Sequence, residues 1–146
     1  IVKVDVIRTD REKSSKLPVF QDGDEIQVSV KANEDSYPNI FSVGQDGRIA
    51  KLFPNDYFDT EIVKAGDMFT FPNNSQRELG VRFRVRTPRE LSKAIESVLV
   101  IATKAKVQLL PDKDLESPTI TDLMRELSEL DPSLWAEKTL GYEVRK

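Results

Sequence analysis

The side chains best placed for chemistry are three arginines that alternate with apolar residues, Arg82, Arg84 and Arg86. Guanidinium groups form bidentate hydrogen bonds with carboxylates and phosphates. A spacing of two residues puts all three on one side of an extended strand, with Phe83 and Val85 facing a core. The row is therefore a candidate partner surface. The alternatives are a solvated face and an intramolecular pairing with the acidic C-terminal helix.

Positive charge is concentrated around this row, although the whole chain is acidic. Residues 77 to 106 contain eight basic and three acidic side chains, so they carry +5 while the remainder carries −8. The net charge of −3 and the lack of exposed aromatic residues between the arginines argue against nucleic acid. The expected partner is a protein or a neighbouring domain of the same precursor.

A second candidate is the loop that follows the 52–55 segment, Leu52-Phe53-Pro54-Asn55. Tyr57 and Phe58 form a candidate ligand loop, and we expect them to be exposed. They would bind a carbohydrate or an envelope polymer if their two rings, alone or together with that of Tyr37, were exposed and roughly coplanar. In the structural alternative, either Leu52 or Phe53 fills the end of the sandwich. The proline then ends strand pairing, and the asparagine side chain hydrogen-bonds to the loop backbone.

Histidine and cysteine are both absent, which removes most familiar catalytic and metal-binding chemistry. Two acidic clusters offer oxygen ligands for calcium, but neither has the spacing of an EF-hand loop; they are Asp22, Asp24 and Glu25, and Glu34 and Asp35. Because 25 acidic residues guarantee that some pair can be drawn, we nominate no catalytic pair. We predict no catalytic residue, cofactor or metal. A hydrolase that uses carboxylates, serine and lysine is a lesser alternative.

The elements that must position these residues are mostly predicted β-strands. Alternating or apolar runs bounded by turn residues predict strands at 2–6, 25–32, 37–43, 48–53, 68–71, 81–86 and 95–104. The turn around Asp46-Gly47 predicts an antiparallel hairpin. The continuous apolar run 98–102 predicts a central strand that is buried on both faces. Residues 8–16 are predicted to be a charged loop.

The C-terminal part of the chain changes to a helical pattern. Thr119 and Asp122 have the spacing of a capping box, and apolar residues follow at helical intervals. We predict a helical segment over about 117–138, with Trp135 in a second short helix. The tail at 140–144 alternates again, and we expect it to return as a strand beside the first strand.

These patterns predict a mainly β fold, an antiparallel β-sandwich of about seven or eight strands with a C-terminal α-helix packed on it. No break in composition divides residues 1–146, so we expect a single domain. The chain starts at Ile1 rather than at a methionine, so we expect it to be part of a larger precursor. No run approaches the roughly 18 apolar residues that span a bilayer.

The order of the turns and strand ends resembles that of one bacterial family of domains of unknown function. The resemblance covers roughly residues 20 to 104 and rests on Gly23-Asp24, Tyr37, Asp46-Gly47, Leu52-Phe53-Pro54-Asn55, Ala65-Gly66 and Pro72. The family usually has a glycine and a glutamate before its last strand, where this chain has Thr87 to Ser92. No catalytic residue is established for it, so the resemblance transfers none.

The resemblance implies a module attached to varied partner domains in cell-envelope and secreted proteins. Together with the missing catalytic side chains, it predicts a non-catalytic binding or accessory module that mediates protein contact outside the cytoplasm. A carbohydrate-binding or envelope-polymer-binding domain is the alternative function.

Overall fold

A computed structural model describes residues 3–7, 17–110 and 118–146, with the backbone alone described at 4–7. Its strands form a three-stranded sheet in the order β1-β3-β6 and a five-stranded sheet in the order β2-β8-β7-β4-β5. The strands are β1 Val4–Ile7, β2 Val19–Gln21, β3 Val28–Ala32, β4 Tyr37–Val43, β5 Ile49–Phe53, β6 Met68–Phe71, β7 Lys93–Thr103 and β8 Trp135–Arg145. The helices are α1 Asn74–Glu78 and α2 Ile120–Leu127. The prediction of a mainly β fold is confirmed.

Side chains from both sheets belong to one buried cluster. Val28 of β3 and Phe71 of β6 share it with Val98 and Val100 of β7. Burying each aliphatic side chain of this kind contributes about 1.5–3 kcal/mol. This inner cluster therefore supplies much of the apolar stabilisation and ties the two sheets together.

The predicted central strand and hairpin are both present. β7 lies in the middle of the five-stranded sheet, pairs antiparallel with β4 and β8, and is buried throughout the run 98–102. β4 and β5 form the predicted antiparallel hairpin. At its tip Gly47 has a φ of 84°, a value that glycine adopts without steric cost.

Helix α2 covers the opposite face of the five-stranded sheet. Leu123 and Leu127 are buried in a second cluster with Phe41 and Leu99. The predicted capping box is present, since the Thr119 amide donates to the carboxylate of residue 122 at 2.8 Å and the threonine hydroxyl accepts from the amide of that residue. The apolar stripe of α2 is therefore packed on the sheet.

The helical segment is shorter than the predicted 117–138. Within the described residues α2 ends at Leu127, and Pro132–Leu134 forms a single 3₁₀ turn. Trp135 begins β8 instead of lying in a second helix. The physical reason is that residues from Trp135 onward pair with β7 along its whole length, and those ladder hydrogen bonds outweigh a weak helical pattern.

The tail is a strand, as predicted, but its neighbours differ from the prediction. β8 pairs with β7 and, in parallel, with β2, whereas β1 belongs to the other sheet. The short elements β2 and α1 were not predicted. Residues 8–16, predicted as a loop, lie outside the described residues.

The predicted strand at 81–86 is wrong in type but right in its alternation. Phe83 and Val85 are buried while the arginines around them are exposed. The backbone of this stretch forms hydrogen bonds with the turn at Gly23 and Asp24 instead of with a neighbouring strand. The Gly23 amide donates to the Val85 carbonyl, and the Val85 amide donates to the Asp24 carbonyl. A turn can accept only isolated hydrogen bonds and not the continuous series that a strand forms with its neighbour. The stretch is therefore not a regular strand. None of the described helices is long and apolar enough to cross a membrane.

Candidate functional site

Three arginines surround the carboxylate of Glu25. Arg84 Nη2 lies 3.1 Å from one carboxylate oxygen, while Arg82 Nε and Arg77 Nη2 lie 3.3 Å and 3.7 Å from the other. One negative charge thus faces three positive charges, which leaves an excess of two. We call Arg77, Arg82, Arg84 and Arg86 the arginine cluster.

Arg86 extends the cluster beyond Glu25. Its guanidinium lies over Gly23, where an added Cβ would come within 2.9 Å of Nη1. Gly23 has a φ of 91° and so supplies both the turn and the space for this side chain. No ion pair of Arg86 is found within the part of the chain that the structure describes. Its charge is therefore available at the surface.

A prominent apolar side chain lies between two members of the arginine cluster in the sequence. Leu79 is 75% exposed at the end of α1, between Arg77 and Arg82 in the chain. The turn is held by the Arg82 guanidinium, which donates to the carbonyls of Arg77 and Val81. The Gly80 amide closes it further by donating to the Arg77 carbonyl at 3.0 Å. Leu79 is therefore presented at a structured position.

The sequence hypotheses for the arginine row are thus partly revised. Arg82 and Arg84 make an intramolecular pairing, but their partner is Glu25 and not the C-terminal helix. Arg77 and Leu79 were missed because their α1 context was not predicted. The excess of basic residues from position 77 onward was the signal that pointed to Arg77.

The other candidate region, the loop after the 52–55 segment, lines a cleft of about 590 Å³. One wall comes from this loop, the opposite wall from the stretch after β7, and Lys51 of β5 lies between them. Among the described residues, the lining is formed by Lys51, Pro54, Asn55, Asp56, Asp59, Thr60, Lys106, Val107, Gln108 and Leu110. Sequence patterns did not predict this cleft, because residues about 50 positions apart form it.

The 52–55 segment mainly has the structural role that the alternative interpretation predicted. Phe53 is 3% exposed, and its ring centroid lies 4.9 Å from that of Phe69 and 5.5 Å from that of Phe71. Strand β5 ends immediately before Pro54. Asn55 Oδ1 accepts from the backbone amides of the two following aromatic residues, at 2.9 and 3.0 Å. The segment anchors the loop in the inner cluster.

The predicted aromatic ligand loop is only half exposed. Tyr57 is 85% exposed, whereas Phe58 is partly buried and packs against the inner cluster. Tyr37, the third ring considered, is partly buried on β4. The expectation that Phe58 is exposed is wrong, because the Asn55 turn directs its ring inward. The structure does not bring the three rings into one exposed platform.

The two described lysines of the cleft have different partners. The Lys106 ammonium lies 2.6 Å from Asp59 Oδ2, and this bond together with the Thr60 amide holds the pKa of Asp59 below its usual value. The same contact raises the pKa of Lys106. Lys51 differs, because its ammonium donates to the Leu109 carbonyl at 2.8 Å and burial lowers its pKa. Of the two lysines among the described lining residues, one is therefore ion-paired and the other is bonded to a backbone carbonyl.

The two acidic clusters considered for calcium are occupied by internal contacts. Asp22 accepts from the Thr87 amide and Asp24 from the Gln21 amide, while Glu34 pairs with Lys104. Asp35 accepts from the Ala65 amide at 2.8 Å. Among the described residues no group of three or more acidic side chains could hold a metal ion.

A family model described as a domain of unknown function, DUF4384, matches residues 19–106. This match covers more than half of the chain. The chain belongs to this family. The DUF4384 region contains the whole arginine cluster and one wall of the cleft, whereas α2 and β8 lie beyond it. No curated protein and no solved structure is significantly similar to the chain.

Proposed function

We propose that this DUF4384 domain is a non-catalytic binding module that contacts an acidic segment of a protein partner through the arginine cluster. The partner is a separate protein or a neighbouring domain of the same precursor. The observation that carries the proposal is the excess of guanidinium groups around Glu25, on a stretch of chain that also exposes Leu79. Arginine beside an exposed apolar residue is typical of the energetically important part of protein interfaces.

The bacterial cell envelope or the secreted compartment is part of the same proposal. It is supported by the resemblance of the turn and strand order to envelope-associated modules. We also propose that the two sheets form a β-sandwich, which is supported by the inner cluster that they share. Fractionation of cells that produce the native protein tests the compartment, and recovery in the cytoplasmic fraction would contradict it.

Two alternatives have weaker support. A carbohydrate platform built from Tyr57 and Phe58 lacks its second exposed ring. A hydrolase has weaker support because the one hydroxyl among the described lining residues of the cleft, that of Thr60, donates to the Pro38 carbonyl at 2.8 Å. We therefore propose binding without catalysis.

Binding of a labelled peptide, four glutamates around one leucine, tests the arginine cluster directly. The double variant R84S/R86S removes two guanidiniums, and R48S/R125S makes the same charge change elsewhere. Because a hydrogen bond between charged groups contributes about 1.5–3 kcal/mol, we expect R84S/R86S to bind roughly tenfold or more weakly than the control variant. Fluorescence anisotropy at two salt concentrations measures this difference.

Glu25→Gln gives a test of the opposite sign. The variant removes the internal competitor for three guanidiniums, so we expect it to bind the acidic peptide more tightly than the unmodified domain. Leu79→Ser should weaken binding without changing its salt dependence, because it removes an apolar contact only. Equal affinity of Glu25→Gln and the unmodified domain, together with an unaffected R84S/R86S variant, would refute the arginine cluster as the contact surface.

A further inference from the structure

The stretch 82–86 has one main-chain edge that is bonded and one that is open. On the bonded edge the Phe83 carbonyl accepts from the Ile26 amide at 2.9 Å, and Val85 bonds the turn before β3 through both its amide and its carbonyl. Within the described ranges, no residue forms a hydrogen bond with the main-chain amides and carbonyls of the three arginines in this stretch. We call these groups the open edge.

Bonded and unbonded residues alternate here as they do in a strand at the edge of a sheet. In an extended chain the main-chain groups of successive residues point to opposite edges, and their side chains point to opposite faces. Phe83 and Val85 are buried while the three arginines are exposed, so burial has the same period of two. The bridge between Glu25 and Arg84 is antiparallel. The open edge therefore offers amide donors and carbonyl acceptors that point away from the turn at 23–26.

An open edge of this kind can bind a second extended chain, because the main chain of that partner supplies the missing donors and acceptors. A strand that pairs there places every second side chain on the same face as the arginines, with Cβ atoms roughly 4.5–5.5 Å apart across the pair. Opposite charges at such positions are stabilising and like charges are destabilising. The segment that fits the open edge is therefore acidic at alternate positions.

A second copy of this domain does not meet that requirement. Pairing two copies through the stretch 82–86 would place two rows of three guanidiniums on one face of the joined sheet. Charged side chains on an edge strand prevent self-association in this way. The occupant is therefore a different and acidic polypeptide.

We propose that the arginine cluster holds its partner by strand addition, in which an extended segment of a separate protein pairs with the open edge. Carboxylates at every second residue of that segment contact the guanidiniums, and its main chain bonds the free amides and carbonyls. The inference rests on the protein-binding function proposed above and specifies how the acidic segment is bound. Charge selects the segment, while the main-chain bonds fix its extended conformation.

Two peptides of identical composition test the alternating pattern. One has three glutamates that alternate with four threonines, and the other has the three glutamates side by side; threonine favours an extended chain. Only the alternating peptide places all three carboxylates on one face of a strand. We expect it to bind roughly tenfold or more tightly in fluorescence anisotropy, because it makes one more charged contact. Equal affinities of the two peptides would overturn strand addition.

N-methylation of the alternating peptide separates main-chain pairing from charge attraction. Methyl groups on the three glutamate amides block one edge of the peptide, and methyl groups on three threonine amides block the other edge, with no change in charge. Because only one edge of an added strand faces the domain, one of these peptides should bind roughly tenfold or more weakly than the other. The proposal is wrong if both methylated peptides bind equally well.

Amide hydrogen exchange measures the same pairing on the domain. The Arg84 and Arg86 amides should exchange more slowly when the alternating peptide is bound. The Val85 amide is the control, because it already donates to the Asp24 carbonyl at 3.0 Å. Unchanged exchange of both arginine amides in the complex would show that charge alone binds the peptide, which rejects strand addition but leaves the proposed function standing. Failure of every acidic peptide to bind would reject both.

Discussion

The arginine cluster and the cleft both present cations, but they are anchored in different ways. In the cluster, exposed guanidiniums compete for one carboxylate, Glu25, on an irregular stretch bonded to a turn. In the cleft, Lys51 lies on a regular strand and is bonded to a neutral carbonyl, beneath a loop that Phe53 anchors in the core. Exposed excess charge is therefore available to a partner, whereas the partly buried Lys51 is already held by contacts within the fold.

The largest effect is expected from a variant that removes Phe53, the residue that anchors the cleft loop in the core. Phe53→Ala removes a ring that contacts Phe69 and Phe71, so we expect the free energy of unfolding to fall by about 3–5 kcal/mol. Tyr57→Ala, in the same loop but exposed, should change it by at most about 0.5 kcal/mol. Urea denaturation measures both values. Similar losses in the two variants would mean that the core does not anchor this loop.

A smaller effect is expected when the cluster loses its carboxylate. Glu25→Gln leaves three guanidiniums to repel one another, and because these groups are substantially exposed we expect a loss of at most about 1 kcal/mol. Added salt should reduce the loss by screening the repulsion. Urea denaturation at low and high salt checks this, with Glu129→Gln as an exposed control. A loss that persists at high salt would indicate a packing role for Glu25 instead.

The smallest expected effect concerns the ion pair in the cleft. The Lys106 contact lowers the pKa of Asp59 in the folded protein, so the carboxylate stabilises the fold above its unfolded pKa of about 3.9. This contribution is lost as pH falls through the lower, folded value. Asp59→Asn should therefore lower the melting temperature at neutral pH and have no effect in strong acid. Asp67→Asn, outside the cleft, makes the same change of charge and serves as the control. A constant difference across pH would contradict the assigned pairing.

Local patterns were sufficient where local forces decide structure. The Asp46-Gly47 turn predicted the β4–β5 hairpin, and the Thr119 and Asp122 capping box predicted the start of α2. The apolar run 98–102 predicted the centre of the five-stranded sheet. In each case residues close together in the sequence determine the feature concerned, which is the turn of the hairpin, the cap of the helix or the burial of the strand.

Predictions failed where distant partners decide the outcome. Trp135 belongs to β8 because it pairs with Thr103 of β7. Phe58 is turned inward because its backbone amide donates to the Asn55 side chain and its ring packs on the apolar core. Glu25 is the partner of the arginines because the chain turn at Gly23 brings residues about 60 positions apart together. None of these contacts has a signature at short range in the sequence.

Residue types and their local spacing were enough to indicate the mainly β class and the family, and to exclude histidine and cysteine chemistry. They also located the alternation of arginines with buried residues. Tertiary structure alone decided which carboxylate the arginines share, which of the loop aromatics is exposed, and that Lys51 and Lys106 line one cleft. These depend on strand pairing and loop packing across the chain, where the free energy of long-range burial and hydrogen bonding outweighs local preference.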